Sequence, residues 1–84
     1  MTVYVVTAYD AESAVPSVHS TLEGAKESMD KWIGDYLEEG FTIAEDVTDL
    51  VPDLSPKVLR LVQFTSSEED VCDPSVVLTE NEVL

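Results

Sequence analysis

His19 and Ser20 stand side by side in "VHST", and a histidine next to a serine suggests nucleophilic acyl transfer. That chemistry needs a serine bonded to its base, a third group orienting the base, and an oxyanion hole. Neighbouring residues on a strand point to opposite faces, so these two cannot form the pair locally. Ser20 is better placed as a helix cap. Cys72 lies in "EEDVCDP". A reactive thiolate needs positive charge nearby, whereas Glu68, Glu69, Asp70 and Asp73 surround this thiol with negative charge and disfavour ionisation. A lone cysteine also excludes an intrachain disulfide, and with His19 as the single histidine no zinc site can be assembled. The carboxylate clusters "EEDVCD" and "AEDVTDLVPD" could attract Ca²⁺ or Mg²⁺. Neither has the alternating acids, central glycine and terminal glutamate of a calcium loop. No catalytic residue, cofactor or dedicated metal site is therefore expected, and the chain reads as a non-enzyme.

The carboxylates matter more as a surface. Eighteen acidic residues against four basic ones give a net charge of −14, while the 44% hydrophobic content is that of a folding chain. No basic residue occurs from Trp32 through Pro56, or from Thr65 through Leu84. On a helical wheel Glu23, Glu27, Asp30 and Glu38 fall in a sector of about 80° and span about 22 Å. Lys26 and Lys31 relieve this row in part through neighbours three and four residues away. Asp35, Glu38 and Glu39 crowd a helix C-terminus, where the dipole prefers cations. Departures from local rules mark places where function is expected. A row of carboxylates several Å apart imitates a phosphate track, which rises about 3.4 Å per step on each strand. The partner-binding candidates are Glu23, Glu27, Asp30, Asp35, Glu38, Glu39, Asp46 and Asp49. Their complement is a basic protein surface. Direct binding to nucleic acid or to an anionic membrane is excluded by charge. General solubility and adaptation to high salt are plainer accounts of the same acidity.

These side chains need a scaffold. Residues 2–9, "TVYVVTAY", are β-branched and aromatic and predict a strand. Both of its faces are apolar, Val3, Val5 and Tyr9 on one and Tyr4, Val6 and Ala8 on the other, as for a central strand or one with a second surface to cover. "DAES" is a turn. "AVPSVHS", residues 14–20, is a second strand, confined by Pro16 to an edge or a bulge. Ser20 and Glu23 have capping-box spacing, with Thr21 as the alternative cap. From Thr21 to about Glu39, Leu22, Ala25, Met29, Trp32, Ile33, Tyr36 and Leu37 trace one helical stripe, and Gly40 follows as a stop. That periodicity makes Met29, Trp32 and Tyr36 core rather than an exposed anchor. Residues 41–56 fit either strand or helix up to the prolines of "VPDLSP". "KVLRLVQFT", residues 57–65, is a strand, residues 66–74 form an acidic connection, and "SVVLTENEVL" begins as a strand.

The sum is one α+β domain over 1–84: a small antiparallel β-sheet in the order β-β-α-β-β with one main amphipathic helix packed on one face. Residues 79–84 are expected as a frayed tail. Eighty-four residues bury only about 60–65% of the surface their unfolded chain exposes, so the core is small. Its expected members are Val3, Val5, Val18, Leu22, Ala25, Met29, Trp32, Ile33, Tyr36, Phe41, Val58, Leu61, Val62 and Phe64. "MTVYVVTAYD" has neither a charged leader nor a long apolar run, so a cytoplasmic location without membrane contact is expected.

The order "VYVVTAYD … SVHSTLEGAKESMDKWI" resembles small uncharacterised phage and prophage proteins. Those open with a hairpin and continue through "V-x-S-T/S" into a helix marked "E-x-A". The matching positions are Val18, Ser20, Thr21, Glu23 and Ala25, with Gly24 where a helix former is usual. The resemblance covers about the first forty residues. It implies the fold and a viral genome, hence a host cytoplasm, and brings no catalytic residues. Joined to the acidic runs, it suggests a non-catalytic module that blocks a basic, nucleic-acid-binding surface of a host protein, as anti-CRISPR and anti-restriction DNA mimics do. The alternative is a structural or accessory domain that self-associates as a homodimer through the second face of its first strand, acidic for solubility or salt.

Overall fold

The computed structural model describes residues 1–10, 13–51 (backbone alone at 49–51), 57–66 and 73–82. The proline loop at 52–56, the acidic connection at 67–72 with Cys72, and residues 83–84 lie outside the described residues. The elements are β1 (Thr2–Tyr9), β2 (Ala14–His19), α1 (Leu22–Glu38), β3 (Thr42–Val51), β4 (Lys57–Thr65) and β5 (Ser75–Glu82). The five strands form one antiparallel sheet in the order β2-β1-β5-β4-β3, with α1 packed chiefly over β1 and β5. This is the α+β architecture expected from the sequence.

Residues 41–56, open between strand and helix, resolve as a strand as far as Val51. Residues 79–82, the described part of the expected tail, belong to a strand that runs to Glu82. β5 is the middle strand, paired with β1 from Tyr9↔Ser75 to Thr2↔Glu82 and with β4 on its other side. In its polar second half Thr79 and Glu80 pair with both neighbours, and Asn81 and Glu82 with β1 alone.

The cap of α1 lies one residue later than the Ser20 box. Thr21 Oγ1 accepts a hydrogen bond from the Gly24 N–H at 3.1 Å. Gly24 occupies the third helical position, where a capping box would need Glu or Gln, so the reciprocal bond is not made. A Cβ at Gly24 would stand 3.1 Å from that hydroxyl oxygen, so glycine leaves the cap its room. At the other end Gly40 has φ +102°, the left-handed conformation that glycine adopts without penalty. The Gly40 N–H bonds Leu37 O at 3.2 Å and the Phe41 N–H bonds Tyr36 O at 3.1 Å. This is a Schellman stop. Its usual apolar contact is present as well: the Phe41 and Tyr36 rings meet edge to face at 5.9 Å.

Alternation of side chains divides the sheet into two faces. Toward the helix point Val6 and Ala8 of β1, Val62 and Phe64 of β4, and Val76 and Leu78 of β5. With Ala25, Met29 and Ile33 of α1 they form the core. Leu22, Trp32, Tyr36 and Phe41 pack at its margin, partly buried. Five expected core residues are misplaced by one strand position. Val3 and Val5 of β1, Val18 of β2, and Val58 and Leu61 of β4 belong to the face the helix leaves open, and Val18 is 67% exposed. Both faces of β1 are apolar, so the helix covers the set of Tyr4, Val6 and Ala8 without any polar position marking the outside.

Candidate interaction surface

The helix row sits as the wheel places it. Glu23, Glu27, Asp30, Asp35, Glu38 and Glu39 are all exposed on α1 or at its C-cap. Glu39 donates its N–H to Asp35 O at 3.1 Å. No basic residue lies in the last turn of α1. The carboxylates there stand against the negative end of the helix dipole, an arrangement that costs local stability. Asp46 joins this side of the molecule from β3, since it pairs with Val62, whose side chain is under the helix. Asp49 falls in β3 where the backbone alone is described. The structure thus brings seven of the eight candidates to the helix side.

Asp30 and Asp46 are not free charges. Arg60 donates Nε–H to Asp46 Oδ1 at 2.9 Å and Nη2–H to Asp46 Oδ2 at 2.7 Å, a two-pronged pair, and its Nη1 lies 3.7 Å from Asp30 Oδ1. The hydrogen bonds from Arg60 hold the Asp46 carboxyl below its ordinary range, and Asp46 in turn raises the guanidinium. Arg60 therefore ties α1 to β3. It does so across a groove of about 720 Å³ that opens where the helix leaves the β3–β4 end of the sheet uncovered, with Leu22, Met29, Leu59 and Leu78 among its walls. The remaining helix carboxylates, Glu23, Glu27, Asp35, Glu38 and Glu39, make no ion pair within 4 Å among the described residues, although Lys26 and Lys31 stand exposed on the same helix. At the C-terminal end Tyr36 has its phenol pushed up, first by burial and then by the nearby charges of Asp10 and Glu39.

The open face of the sheet is of the other kind. Among the strand residues whose side chains are described it presents Val3, Val5, Thr7 and Tyr9 of β1, Ala14, Pro16 and Val18 of β2, Val58, Leu61, Gln63 and Thr65 of β4, Ser75, Val77, Thr79 and Asn81 of β5, and Thr42, Glu45 and Val47 of β3. Glu45, opposite Gln63 on the edge strand, is the one charged side chain in that set. The carboxylate row of the helix and the mainly apolar open face thus lie on opposite sides of the molecule, with α1 and the sheet between them.

His19 does meet a serine, though not Ser20. His19 Nε2 shares a hydrogen bond with Ser17 Oγ at 2.9 Å, and Ser17 Oγ reaches Ser28 Oγ on α1 at 3.3 Å. Residues two apart on a strand share a face, so the spacing Ser17-x-His19 carried this signal. Among the described residues no carboxylate hydrogen-bonds the ring, so the orienting third member of a triad is not assembled; the trio pins β2 to α1. Nor, among the described residues, does any group of three His, Cys, Asp or Glu side chains gather as a metal site. Among the described residues no helix is long and apolar enough to cross a membrane. Comparison with known protein families, with curated proteins and with solved structures finds no match to this chain.

Proposed function

We propose that this protein is a non-catalytic acidic binding module whose helix side occupies a basic, nucleic-acid-binding surface of another protein. The observation that carries the reading is one-sidedness: the carboxylates Glu23, Glu27, Asp35, Glu38 and Glu39 share one side with only Lys26 and Lys31 among them, while the open sheet face bears only Glu45 among the strand residues whose side chains are described. Charge needed only for solubility has no reason to avoid one face. Carboxylates on a rigid helix hold their spacing, and a fixed row of negative charge competes with phosphates for the same lysines and arginines while speeding encounter. A phage origin, with a host restriction or CRISPR effector as the target, is the form of this reading that the sequence resemblance suggests.

The test uses the wild type and a variant carrying Glu23→Gln, Glu27→Gln, Asp35→Asn and Glu38→Gln. Each is immobilised and exposed to candidate basic proteins, and a captured protein is assayed for release of a labelled duplex or RNA. The wild type should displace the nucleic acid, and the variant should do so about 10–100-fold less well, with a steep loss at high salt. Equal capture by both, or capture without displacement, refutes the reading.

A further inference from the structure

We propose that the open face of the sheet is the interface of a two-fold homodimer, in which two copies stack sheet against sheet and turn their acidic helices outward. An antiparallel sheet with one face in water alternates polar residues on that face. This one does not. Across the middle of the sheet runs the row Pro16, Thr7, Val77, Leu61 and Val47, each the ladder partner of the next, and beside it the row Val18, Val5, Thr79 and Val58. Neither row holds a charged residue, in a chain of net charge −14.

Charge selects the occupant. A basic partner finds only Glu45, at the edge, to pair with on this face and a row of carboxylates on the other. A second copy is the reverse case: its helix side is repelled, and its open face is the surface on which two such chains can approach. In a face-to-face pair the helix carboxylates lie on the far side of each sheet. Glu45 sits on an edge strand, three strands from β1, so a two-fold axis near the central β5 leaves both copies of it at the rim. The area also suffices. Five strands about 4.8 Å apart, each of some eight residues at about 3.3 Å, give a footprint near 600 Å² per copy. Two such faces remove about 1,200 Å² or more, which reaches the range of specific interfaces. The pair has the geometry of a β-sandwich with its inner faces about 10 Å apart. This inference stands independently of the acidic-binder reading.

Sedimentation equilibrium tests it. The expected mass is twice the 9.2 kDa of one chain. The dimer should tighten between about 0.1 and 1 M salt, because screening relieves repulsion between two acidic bodies while apolar burial remains. Val77→Lys lowers the net negative charge yet should weaken the dimer about a hundredfold or more, by placing an unpaired ammonium in the interface. Thr7→Lys, at a polar position of the same row, serves if Val77→Lys fails to fold, as judged by circular dichroism. Glu27→Lys on the helix side should leave the dimer intact. A monomer at all concentrations overturns the proposal; so does a dimer that salt dissolves, or one that survives Thr7→Lys. Loss of the dimer would leave the acidic row untouched, and a failure of the acidic row to bind would leave the dimer.

Discussion

The two faces of this sheet are built from the same strands and nearly the same residue types, yet they do opposite things. Under the helix, Val6, Val62 and Val76 are wholly buried and Phe64 and Leu78 nearly so. One position along each strand, Val5, Leu61 and Val77 are only half-buried. Residue type does not distinguish the sets. What distinguishes them is the helix stripe of Ala25, Met29 and Ile33, which fits one face and leaves the other to find its own cover. An apolar face without a helix is evidence of a second surface, and the helix's own outer side, acidic and tied to the sheet only through Asp30 among its carboxylates, is a third. Eighty-four residues thus carry a core, an apolar plane and a charged ridge in successive layers.

The sharpest way to break that comparison is to cut a large side chain from each face. Phe64 is fully buried, with its ring 5.1 Å from Tyr36. Phe64→Ala should cost about 3–5 kcal/mol, enough to unfold much of a domain this small. Leu61→Ala, measured in the Thr7→Lys background so that pairing does not contribute, should cost about 1–2 kcal/mol, since that side chain, unlike Phe64, keeps part of its surface in water in the single chain. Urea midpoints give both values. Equal losses would mean that the open face is as tightly packed as the core, and the distinction between the two would fail.

The sequence carries elements better than faces. The stripe from Leu22 to Leu37 and the stop at Gly40 locate α1 to within a residue, because a 3.6-residue period over four turns has few alternatives. The strands at 2–9 and 57–65 are equally plain, being β-branched runs between turn residues. Which face of β1 turns inward is not legible, because Val3 and Val5 are as apolar as Val6 and Ala8 and a period of two has no sign. β3 was obscured for a different reason. A bulge between Ile43 and Glu45 shifts the alternation, so that Ile43 lies opposite Phe64 on the helix side while Val47 lies opposite Leu61 on the open side. No single period fits such a strand. The central place of β5 rests on pairing with β1 some seventy residues away, which no local pattern reports. Of the acidic candidates, the helix members were readable from the wheel. The capture of Asp30 and Asp46 by Arg60 was not, because it depends on how α1 crosses β4.

A smaller effect separates the two possible helix starts and so sharpens how the acidic ridge is anchored. Thr21→Ala removes the acceptor of the Gly24 N–H and should cost about 1 kcal/mol. For a domain of this size that lowers the melting temperature by roughly 4–8 °C. Ser20→Ala should change it by less than about 0.5 kcal/mol, the range of an ordinary surface substitution. The reverse order would return the cap to Ser20.

The smallest expected effect concerns the ion-pair cluster of Arg60, which crosses from ridge to sheet. Arg60 holds the Asp46 carboxyl below its ordinary range by donating two hydrogen bonds, so the folded chain binds that proton less readily than the unfolded one. The sign follows from linkage. The pair's contribution is fully present above the unfolded carboxyl value of about 3.9 and is lost as pH falls through the lower folded value. Asp46 has a side chain 36% exposed and Arg60 30%, so solvent screening keeps the contribution small, about 0.5–1 kcal/mol. Asp46→Asn should therefore lower the urea midpoint at pH 7 and lie progressively closer to the wild type below about pH 4, where the native carboxyl takes up its proton. Asp30→Asn, whose partner is 3.7 Å away and whose side chain is 72% exposed, should have an effect near the lower edge of about 0.2 kcal/mol. A gap between Asp46→Asn and the wild type that persists undiminished at pH 2 would show that the charge on Asp46 is not what joins β3 to Arg60, and the ridge would then be held to the sheet by apolar packing alone.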